Sequence, residues 1–249
     1  MKKNYINEVA WSKIYMFLHS LKNIRVKNER KAKKFVEAIY WMSRTGAQWR
    51  ELDSFYGKWN SIYKRFNAWS KKHVWENLLQ FCIEDPDLEY IMIDATIVRA
   101  HACAAGYGNQ DEEGLGRSKG GFTSKIHAKV DALGNPLKFI ITPGQRNDCT
   151  QASTLLESVY ESEIMADKAY DSNDIRKQIA DQNCNAVIPP RKNRIKQYDY
   201  DEFLYKERHV VECFFGKIKH FRRVFSRFDK SARNFIAFLS FVGAIIWLR

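Results

Sequence analysis

The sequence predicts an α/β protein in which a small all-α, helix-turn-helix-like domain precedes a mixed sheet with flanking helices. Three observations support this fold class. Apolar residues recur at helical spacing before Glu84, short apolar runs bounded by Gly and Pro follow, and these runs then alternate with helical segments. The acidic, proline-containing run Glu84-Asp85-Pro86-Asp87 separates the two patterns. We therefore predict an N-terminal helical domain at 1–86 and an α/β domain at 87–249.

The N-terminal part contains two predicted helices joined by a turn. Phe35, Ile39 and Met42 recur at helical spacing, and Thr45-Gly46 interrupts the pattern. The second helix has an apolar row that consists of Trp59, Ile62, Tyr63, Phe66 and Trp69.

The second of these helices also has a basic face, which includes Lys58, Lys64 and Arg65. A helix, a turn and a basic second helix are typical of DNA-binding domains. The same pattern fits a solvated charged face on an ordinary helical bundle, so the helix alone does not decide between the two interpretations.

The second part contains five predicted strands and two predicted helices before its C-terminal region. The strands lie at 90–94, 125–130, 137–142, 164–166 and 186–188, and the helices at 151–160 and 173–182. With a third helix from Tyr205 onward, the order is β-β-β-α-β-α-β-α. This order is the one expected for a ribonuclease-H-like sheet with helices on its faces.

Two aspartates follow apolar strands and are candidates for metal ligands. Asp94 ends the run 90–94, and Asp167 follows the run 164–166. Carboxylates at the ends of neighbouring strands converge, and carboxylate oxygens are the ligands that Mg²⁺ prefers in proteins. A single aspartate in such a position is more often a turn former or a helix cap, so a third residue is needed.

The segment from Tyr205 supplies that third residue. In a helix, Tyr205, Arg208, Glu212 and Lys219 fall within an arc of about 60°, because each residue advances by about 100°. Apolar residues gather on the opposite side. The polar face combines a carboxylate for a metal ion with a guanidinium and an ammonium for phosphates.

The pattern Tyr205-x-x-Arg208-x-x-x-Glu212 followed by Lys219 resembles the signature of bacterial insertion-sequence transposases of the DDE superfamily, in the insertion-sequence-five group. The resemblance covers about 11–248. Further segments resemble the same group in the same order, at 44–50, 94–101, 115–121, 131–136, 142–145 and 166–171.

The resemblance implies a metal-dependent enzyme with Asp94, Asp167 and Glu212 as its catalytic and metal-binding carboxylates and Mg²⁺, replaceable by Mn²⁺, as its cofactor. It would cut the terminal inverted repeats of its own element and join them to target DNA, acting as a homo-oligomer on double-stranded DNA. Cys213 stands where many relatives have Arg, which removes one phosphate contact but no ligand. The expected DNA contacts are Lys219, Tyr205, Arg208, Lys58, Lys64, Arg65, Arg191, Lys192, Arg222 and Arg223.

His101, seven residues after Asp94, is a further candidate for acid–base chemistry. Catalysis by two metal ions needs no histidine base, so a structural or phosphate-facing role is favoured.

The overall composition agrees with a nucleic-acid partner. The formal net charge of +12 indicates a polyanionic partner, either nucleic acid or an acidic membrane surface. The five cysteines are scattered and form no C-x-x-C pair, which favours a reducing cytoplasm. The N-terminus lacks a signal-peptide pattern, and the apolar stretch 235–248 is shorter than the roughly 20 residues of a membrane span. We expect a bacterial, nucleoid-associated protein without a membrane partner.

Two other functions remain open at this stage. A ribonuclease-H-like nuclease that does not rejoin DNA would use the same carboxylates. A non-catalytic DNA-binding regulator would use only the helical N-terminal part, although a complete set of carboxylates argues against it.

Overall fold

The computed structural model describes residues 5–249, which form two compact units. The first contains the described residues up to Glu84 together with Ala100–Gly108 and Ile218–Arg249, and the second contains Asp85–Arg99 and Asn109–Lys217. The predicted domain boundary at 86/87 stays a prediction.

The first unit is helical. Its elements, numbered in chain order through both units, are α1 (Glu8–Ser20), α2 (Glu29–Thr45), α3 (Trp59–Lys71), α4 (Val74–Cys82), α9 (Arg222–Phe225), the short strand β7 (Ser226–Arg227) and α10 (Ala232–Trp247). The two predicted N-terminal helices correspond to α2 and α3, and α10 contains most of the apolar stretch 235–248.

The end of α2 shows how the sequence fixes the turn between the first two predicted helices. Asn28 begins the helix by accepting a hydrogen bond from the backbone N–H of Lys31, and Gly46 ends it at φ 65°. A side chain at Gly46 would be strained at this φ and would also lie 3.1 Å from Cβ of Arg222. The glycine is therefore needed both for the turn and for the close approach of α9.

Aromatic rings fill the core of the first unit. Phe66 of α3 stacks on Phe238 of α10 with ring centroids 4.4 Å apart, and Trp75 of α4 lies 5.3 Å from Phe241. The middle of α10 is buried, as its nearly uniform apolar sequence predicts. None of the helices in the described residues is long and apolar enough to cross a membrane.

The second unit is built on a mixed sheet. Its elements are β1 (Tyr90–Ala100), β2 (Gly116–Ser118), β3 (Gly121–Val130), β4 (Pro136–Pro143), α5 (Ala152–Leu155), β5 (Glu163–Met165), α6 (Asn173–Asp181), β6 (Asn185–Val187), α7 (Glu202–Tyr205) and α8 (His209–Lys219). The last two residues of α8 belong to the first unit.

The strands have the ribonuclease-H-like order β4-β3-β1-β5-β6. The strands β1, β3 and β4 form an antiparallel meander, and β5 and β6 run parallel to β1. The short strand β2 pairs with residues 121–123 at the beginning of β3, and β4 pairs with β3 from Ser124 onward. The predicted fold class is therefore confirmed.

Three details differ from the sequence-based expectation. The strand β1 does not end at Asp94 but continues to Ala100, because Thr96, Ile97 and Val98 remain paired with β3. The predicted helix at 151–160 shrinks to α5, since Ser158 adopts φ 58°, which a right-handed helix does not allow. The segment 116–118, where the sequence predicts no strand, forms β2.

His127 is a fully buried titratable residue of β3. Its Nε2 lies 2.8 Å from Oγ1 of Thr142, and its Nδ1 has no hydrogen-bond partner. Burial lowers the pKa of His127 from 6.5 to about 4, because charging the ring inside the sheet is unfavourable.

We expect His127 to make folding depend on pH. The unfolded chain binds a proton below pH 6.5 whereas the folded chain does so only near pH 4, so stability is complete above pH 6.5 and falls between these values. His127→Gln should remove this dependence, which amounts to about 3 kcal/mol for a shift of this size. Urea unfolding at a series of pH values would measure it. Exposed His19, changed to Gln, is the matched control, and equal pH profiles for both variants would contradict the prediction.

Candidate active site

The two predicted aspartates lie side by side because β1 and β5 are parallel neighbours. Met92 of β1 pairs with Met165 of β5. Asp94 and Asp167 each follow their methionine by two residues, and both positions have extended backbone, so both side chains leave the same face of the sheet. The pairing thus places two carboxylates at the same level.

Asp94 is largely buried, with 17% of its side chain exposed. Burial raises its pKa, and the charge of Asp167 acts in the same direction. A hydrogen bond from the N–H of Ala95 and the guanidinium of Arg208 act against this shift. Asp94 is therefore a carboxylate that gains from a nearby cation.

Asp167 begins a single turn of 3-10 helix at Lys168–Tyr170. Its Oδ1 accepts a hydrogen bond of 2.8 Å from the N–H of Ala169. This bond fixes one oxygen of the carboxylate and leaves the other for a ligand or solvent.

Arg208 connects Asp94 to Glu212. Its guanidinium donates a hydrogen bond of 2.9 Å to Oδ2 of Asp94 and a second bond to Oε1 of Glu212. Burial alone would lower the pKa of Arg208, but the charges of Asp94, Glu212 and Asp167 outweigh it and raise the pKa. Glu212 therefore lies on the same side of the second unit as the two aspartates.

The predicted helix from Tyr205 is divided into two α-helices joined by a turn of 3-10 helix. The helix α7 ends at Tyr205, a 3-10 turn covers Lys206–Arg208, and α8 begins at His209. Tyr205 and His209 keep right-handed helical angles, so the polar row remains on one side. Burial raises the pKa of Tyr205, whose ring lies 5.8 Å from the guanidinium of Arg208.

A buried carboxylate network holds the loop that follows Asp167. Asp171 has no exposed side-chain surface and forms ion pairs with Arg176 at 2.7 Å and Arg194 at 3.1 Å. It also accepts a hydrogen bond of 2.9 Å from the N–H of Arg191. Burial alone would raise the pKa of Asp171, but these bonds and charges outweigh it and lower the pKa. Sequence reasoning placed Asp171 in a motif but missed this role.

The carboxylates fit a divalent cation by their chemistry. Asp94, Asp167 and Glu212 offer only oxygen ligands, and a single guanidinium leaves their negative charge unbalanced. In the part of the chain that the structure describes, no three acidic, histidine or cysteine side chains are already gathered closely enough to hold a metal ion. The guanidinium of Arg208 bonds to both Asp94 and Glu212, so an ion held by these two carboxylates would compete with it.

Most of the other predicted DNA contacts are exposed. Lys58 and Lys64 of the α3 region, Lys192 and Arg222 are accessible. The guanidinium of Arg65 instead lies over the ring of Phe35, 4.3 Å from its centroid, and burial lowers the pKa of Arg65.

Two predicted arginine contacts are occupied within the protein. Arg223 is 3% exposed, and its guanidinium forms two hydrogen bonds of 3.0 Å with Asp229 and one with the carbonyl of Ala47. A buried, fully paired guanidinium is not free for phosphate, so the expected DNA contact of Arg223 is corrected to a structural role. Arg191 is exposed but donates to the carbonyls of Lys168 and Ala169.

His101 has a local structural contact. Its Nδ1 accepts a hydrogen bond of 3.2 Å from the N–H of Cys103, at the start of a short 3-10 turn. This contact agrees with the structural role favoured for His101.

Two family models match the chain. The model described as "Transposase DDE domain" matches residues 85–247, and the one described as "Putative transposase of IS4/5 family" matches residues 6–79. Together they cover both the helical and the α/β parts.

Curated relatives carry related names. The Brucella ovis "Putative transposase for insertion sequence element IS6501" is 43% identical over 129 residues, which are 51% of this chain and 99% of the relative. The Burkholderia cepacia "Putative transposase for insertion sequence element IS402" is 32% identical over 47% of this chain and 58% of the relative.

Solved structures show more distant similarity. The piggyBac transposase in a synaptic complex with hairpin DNA aligns with a TM-score of 0.43 and 14% identity, over 75% of this chain and 48% of the other. This chain thus spans about half the length of that protein. The Mos1 transposase in a paired-end complex with the left transposon end aligns with a TM-score of 0.28 and 10% identity, over 84% of this chain and 92% of the other.

We expect Asp171→Asn to destabilise the protein by about 3 kcal/mol, because removing one partner leaves two buried guanidinium groups with reduced compensation. Chemical unfolding at neutral pH would measure this change. Asp174→Asn in the exposed first turn of α6 is the matched control and should have a much smaller effect. If Asp171→Asn lowers the free energy of unfolding no more than Asp174→Asn does, the network does not stabilise the fold.

Proposed function

The chain belongs to the DDE transposase family, and from this membership we propose that it binds the terminal inverted repeats of its own insertion sequence, cuts the DNA ends and joins them to target DNA. The proposed catalytic residues are Asp94, Asp167 and Glu212. The observation that supports this choice most strongly is the guanidinium of Arg208, which bonds to both Asp94 and Glu212 beside Asp167.

The three carboxylates are the proposed ligands for divalent ions, Mg²⁺ or Mn²⁺. Held by these carboxylates, two such ions would supply Lewis-acid chemistry for the scissile phosphate, the attacking hydroxyl and the leaving oxygen. The protein's own contribution begins with geometry. The pairing of β1 with β5 and the bond from Ala95 fix Asp94, and the bond from Ala169 fixes Asp167.

Arg208 has a second use in this proposal. The guanidinium compensates the carboxylates in the metal-free arrangement, and once released it has donors in the geometry that fits two phosphate oxygens. Tyr205 lies beside it and offers a phenol, and Lys219 lies seven residues after Glu212 on α8. These three side chains would orient the DNA backbone without holding metal.

The proposed partners follow from charge. The basic side chains that remain exposed, including Lys58, Lys64 and Lys192, supply phosphate contacts of the kind that dominates DNA affinity. We propose that duplex DNA is the ligand and that a homo-oligomer brings two element ends together, since joining both ends requires both in one assembly.

Removing one proposed ligand should stop the chemistry and spare binding. Asp94→Asn, Asp167→Asn and Glu212→Gln keep the side-chain shape but remove the charge. We expect cleavage of labelled element ends to fall by about 1000-fold, because metal stabilisation of a phosphoryl transition state is worth several kcal/mol. Affinity for the ends, measured by electrophoretic mobility shift, should change little.

The matched control is Glu202→Gln, which removes an exposed carboxylate from α7. It should cleave at the normal rate. Normal cleavage by any of the three ligand variants would remove that residue from the proposed set. Hydrolysed ends without strand-transfer products would support the nuclease interpretation, and binding without any metal-dependent cleavage by the unchanged protein would support a regulator.

Lys219 should affect the rate without being essential. Changing Lys219 to Gln removes a cation that orients phosphate but no metal ligand, so we expect cleavage to slow by about tenfold. Single-turnover cleavage at saturating protein would separate this effect from weaker binding. An unchanged rate would exclude Lys219 from the reaction, and complete loss would mean that its role exceeds orientation.

A further inference from the structure

The first unit contains an open cleft that the proposed catalytic residues do not use. Its volume is about 650 Å³, and it is formed by α3, the turn at 48–50, the segment 103–107 and the beginning of α10. Clefts of roughly 300–1000 Å³ are typical of sites for small organic groups. Nothing in the proposed reaction assigns a ligand to it.

Aromatic side chains form part of its wall. Trp59 and Tyr63 are one turn apart on α3, are partly exposed and both line the cleft. Behind them, Trp49 lies 5.2 Å from the ring of Tyr63 and 5.6 Å from the buried ring of Phe66. The wall is therefore supported by the core, which suits a stacking platform.

The charge of the cleft is strongly positive. The basic side chains that line it are Arg50, Lys71, Arg223, Lys230 and Arg233. Among the described residues of the lining, Asp229 is the only carboxylate, and two hydrogen bonds from Arg223 neutralise it. Four cations thus remain for an anionic ligand.

Polar groups without partners lie on the same wall. Nε of Arg233 is buried without a hydrogen-bond partner, and so is Oδ1 of Asn234, a residue that is 6% exposed. The other end of Arg233 donates to Oδ1 of Asn67 at 3.3 Å. Unpaired buried groups cost free energy, so a ligand with polar edges would gain from small shifts that pair them.

The cleft continues beyond a single ligand site. A second cavity of about 390 Å³ adjoins it and shares Gln48, Trp49, Cys103, Arg223 and Phe228 with it. The cleft and this cavity together form a trough that reaches the backbone at 46–47. A trough of this form suits a chain of nucleotides better than one free nucleotide.

We propose that this trough binds an unpaired stretch of DNA strand, with bases stacked on Trp59 and Tyr63 and phosphates at Arg50, Lys71, Lys230 and Arg233. Paired bases hide their faces in the duplex, whereas unpaired bases present them to aromatic side chains. The inference goes beyond the proposed function and does not depend on the three carboxylates.

Fluorescence anisotropy with a short labelled oligothymidylate would test the proposal. We expect the normal strand to bind at least about fivefold more tightly than an abasic strand with the same phosphates, because stacking adds to affinity. A blunt duplex of the same length and thymidine monophosphate should compete poorly. Equal binding of the normal and abasic strands, or stronger binding of oligouridylate, would contradict the proposal.

Substitutions would then localise the site. Trp59→Ala should weaken oligothymidylate binding by about fivefold or more, and Trp59→Phe, which keeps a ring, should restore most of it. Lys71→Gln should weaken binding and reduce its salt dependence, whereas Lys22→Gln removes an exposed lysine outside the cleft and should do neither. Circular dichroism and thermal melting of each variant would verify folding. Normal binding by both Trp59→Ala and Lys71→Gln would overturn the proposal.

One further variant separates this inference from the proposed function. Asp94→Asn should bind oligothymidylate normally while losing cleavage. Failure of the unchanged protein to cleave element ends, with Trp59-dependent strand binding retained, would refute the proposed reaction alone. Normal cleavage of element ends, with equal affinity for the normal and the abasic strand, would refute only the proposal that the trough binds unpaired DNA.

Discussion

The parallel pairing of β1 with β5 is the constraint on which the candidate site depends. Because Met92 lies opposite Met165, Asp94 and Asp167 reach the same level, two residues beyond two fully buried methionines. A slip of one residue in β1 would turn its side chains to the opposite faces of the sheet. The register that completes the core therefore also brings the carboxylates together.

This placement has an electrostatic cost, which Arg208 offsets. Burial at the edge of an apolar core raises the pKa of Asp94, and the neighbouring charge of Asp167 adds to this effect. The guanidinium of Arg208 restores part of the balance and reaches Glu212 as well. The negative charge of the three carboxylates is thus only partly compensated by Arg208. A divalent cation would supply the remaining positive charge. In the proposed function, an arginine that exchanges a carboxylate for a phosphate would allow the same site to exist before and after DNA arrives.

Much of this arrangement could be predicted from the sequence because strong local patterns carry it. Apolar runs predicted the strands β1, β3 and β4. The spacing of Tyr205, Arg208 and Glu212 predicted one polar face of a helix. The early end of the helix predicted at 151–160 could not be foreseen, since apolar spacing gives no warning that Ser158 adopts a left-handed conformation. The length of β1 was also missed, because its second half is partly exposed and depends on pairing with β3 for its structure.

The arginines show a second limit of sequence reasoning. Net charge counts every guanidinium as a possible DNA contact, but the ion pairs and hydrogen bonds formed in the folded chain decide which ones are free. Arg223 is paired with Asp229, Arg227 is fully buried and donates to the carbonyls of Asp229 and Lys230, and Arg176 holds Asp171. Planar guanidinium groups with several donors suit such internal bonding better than the single ammonium of lysine.

Basic residues therefore do two kinds of work in this protein. Some arginines join loops to the rest of their unit, as buried Arg223 does for the turn at 46–48 and exposed Arg191 does for the loop after Asp167. Exposed lysines and exposed arginines carry the positive field that reaches solvent. Because phosphate contacts through a flexible ammonium demand little geometry, the field attracts DNA of any sequence. Under the two proposals, selection among DNA forms would come from groups with fixed geometry, namely the carboxylates with Arg208 and the aromatic wall formed by Trp59 and Tyr63.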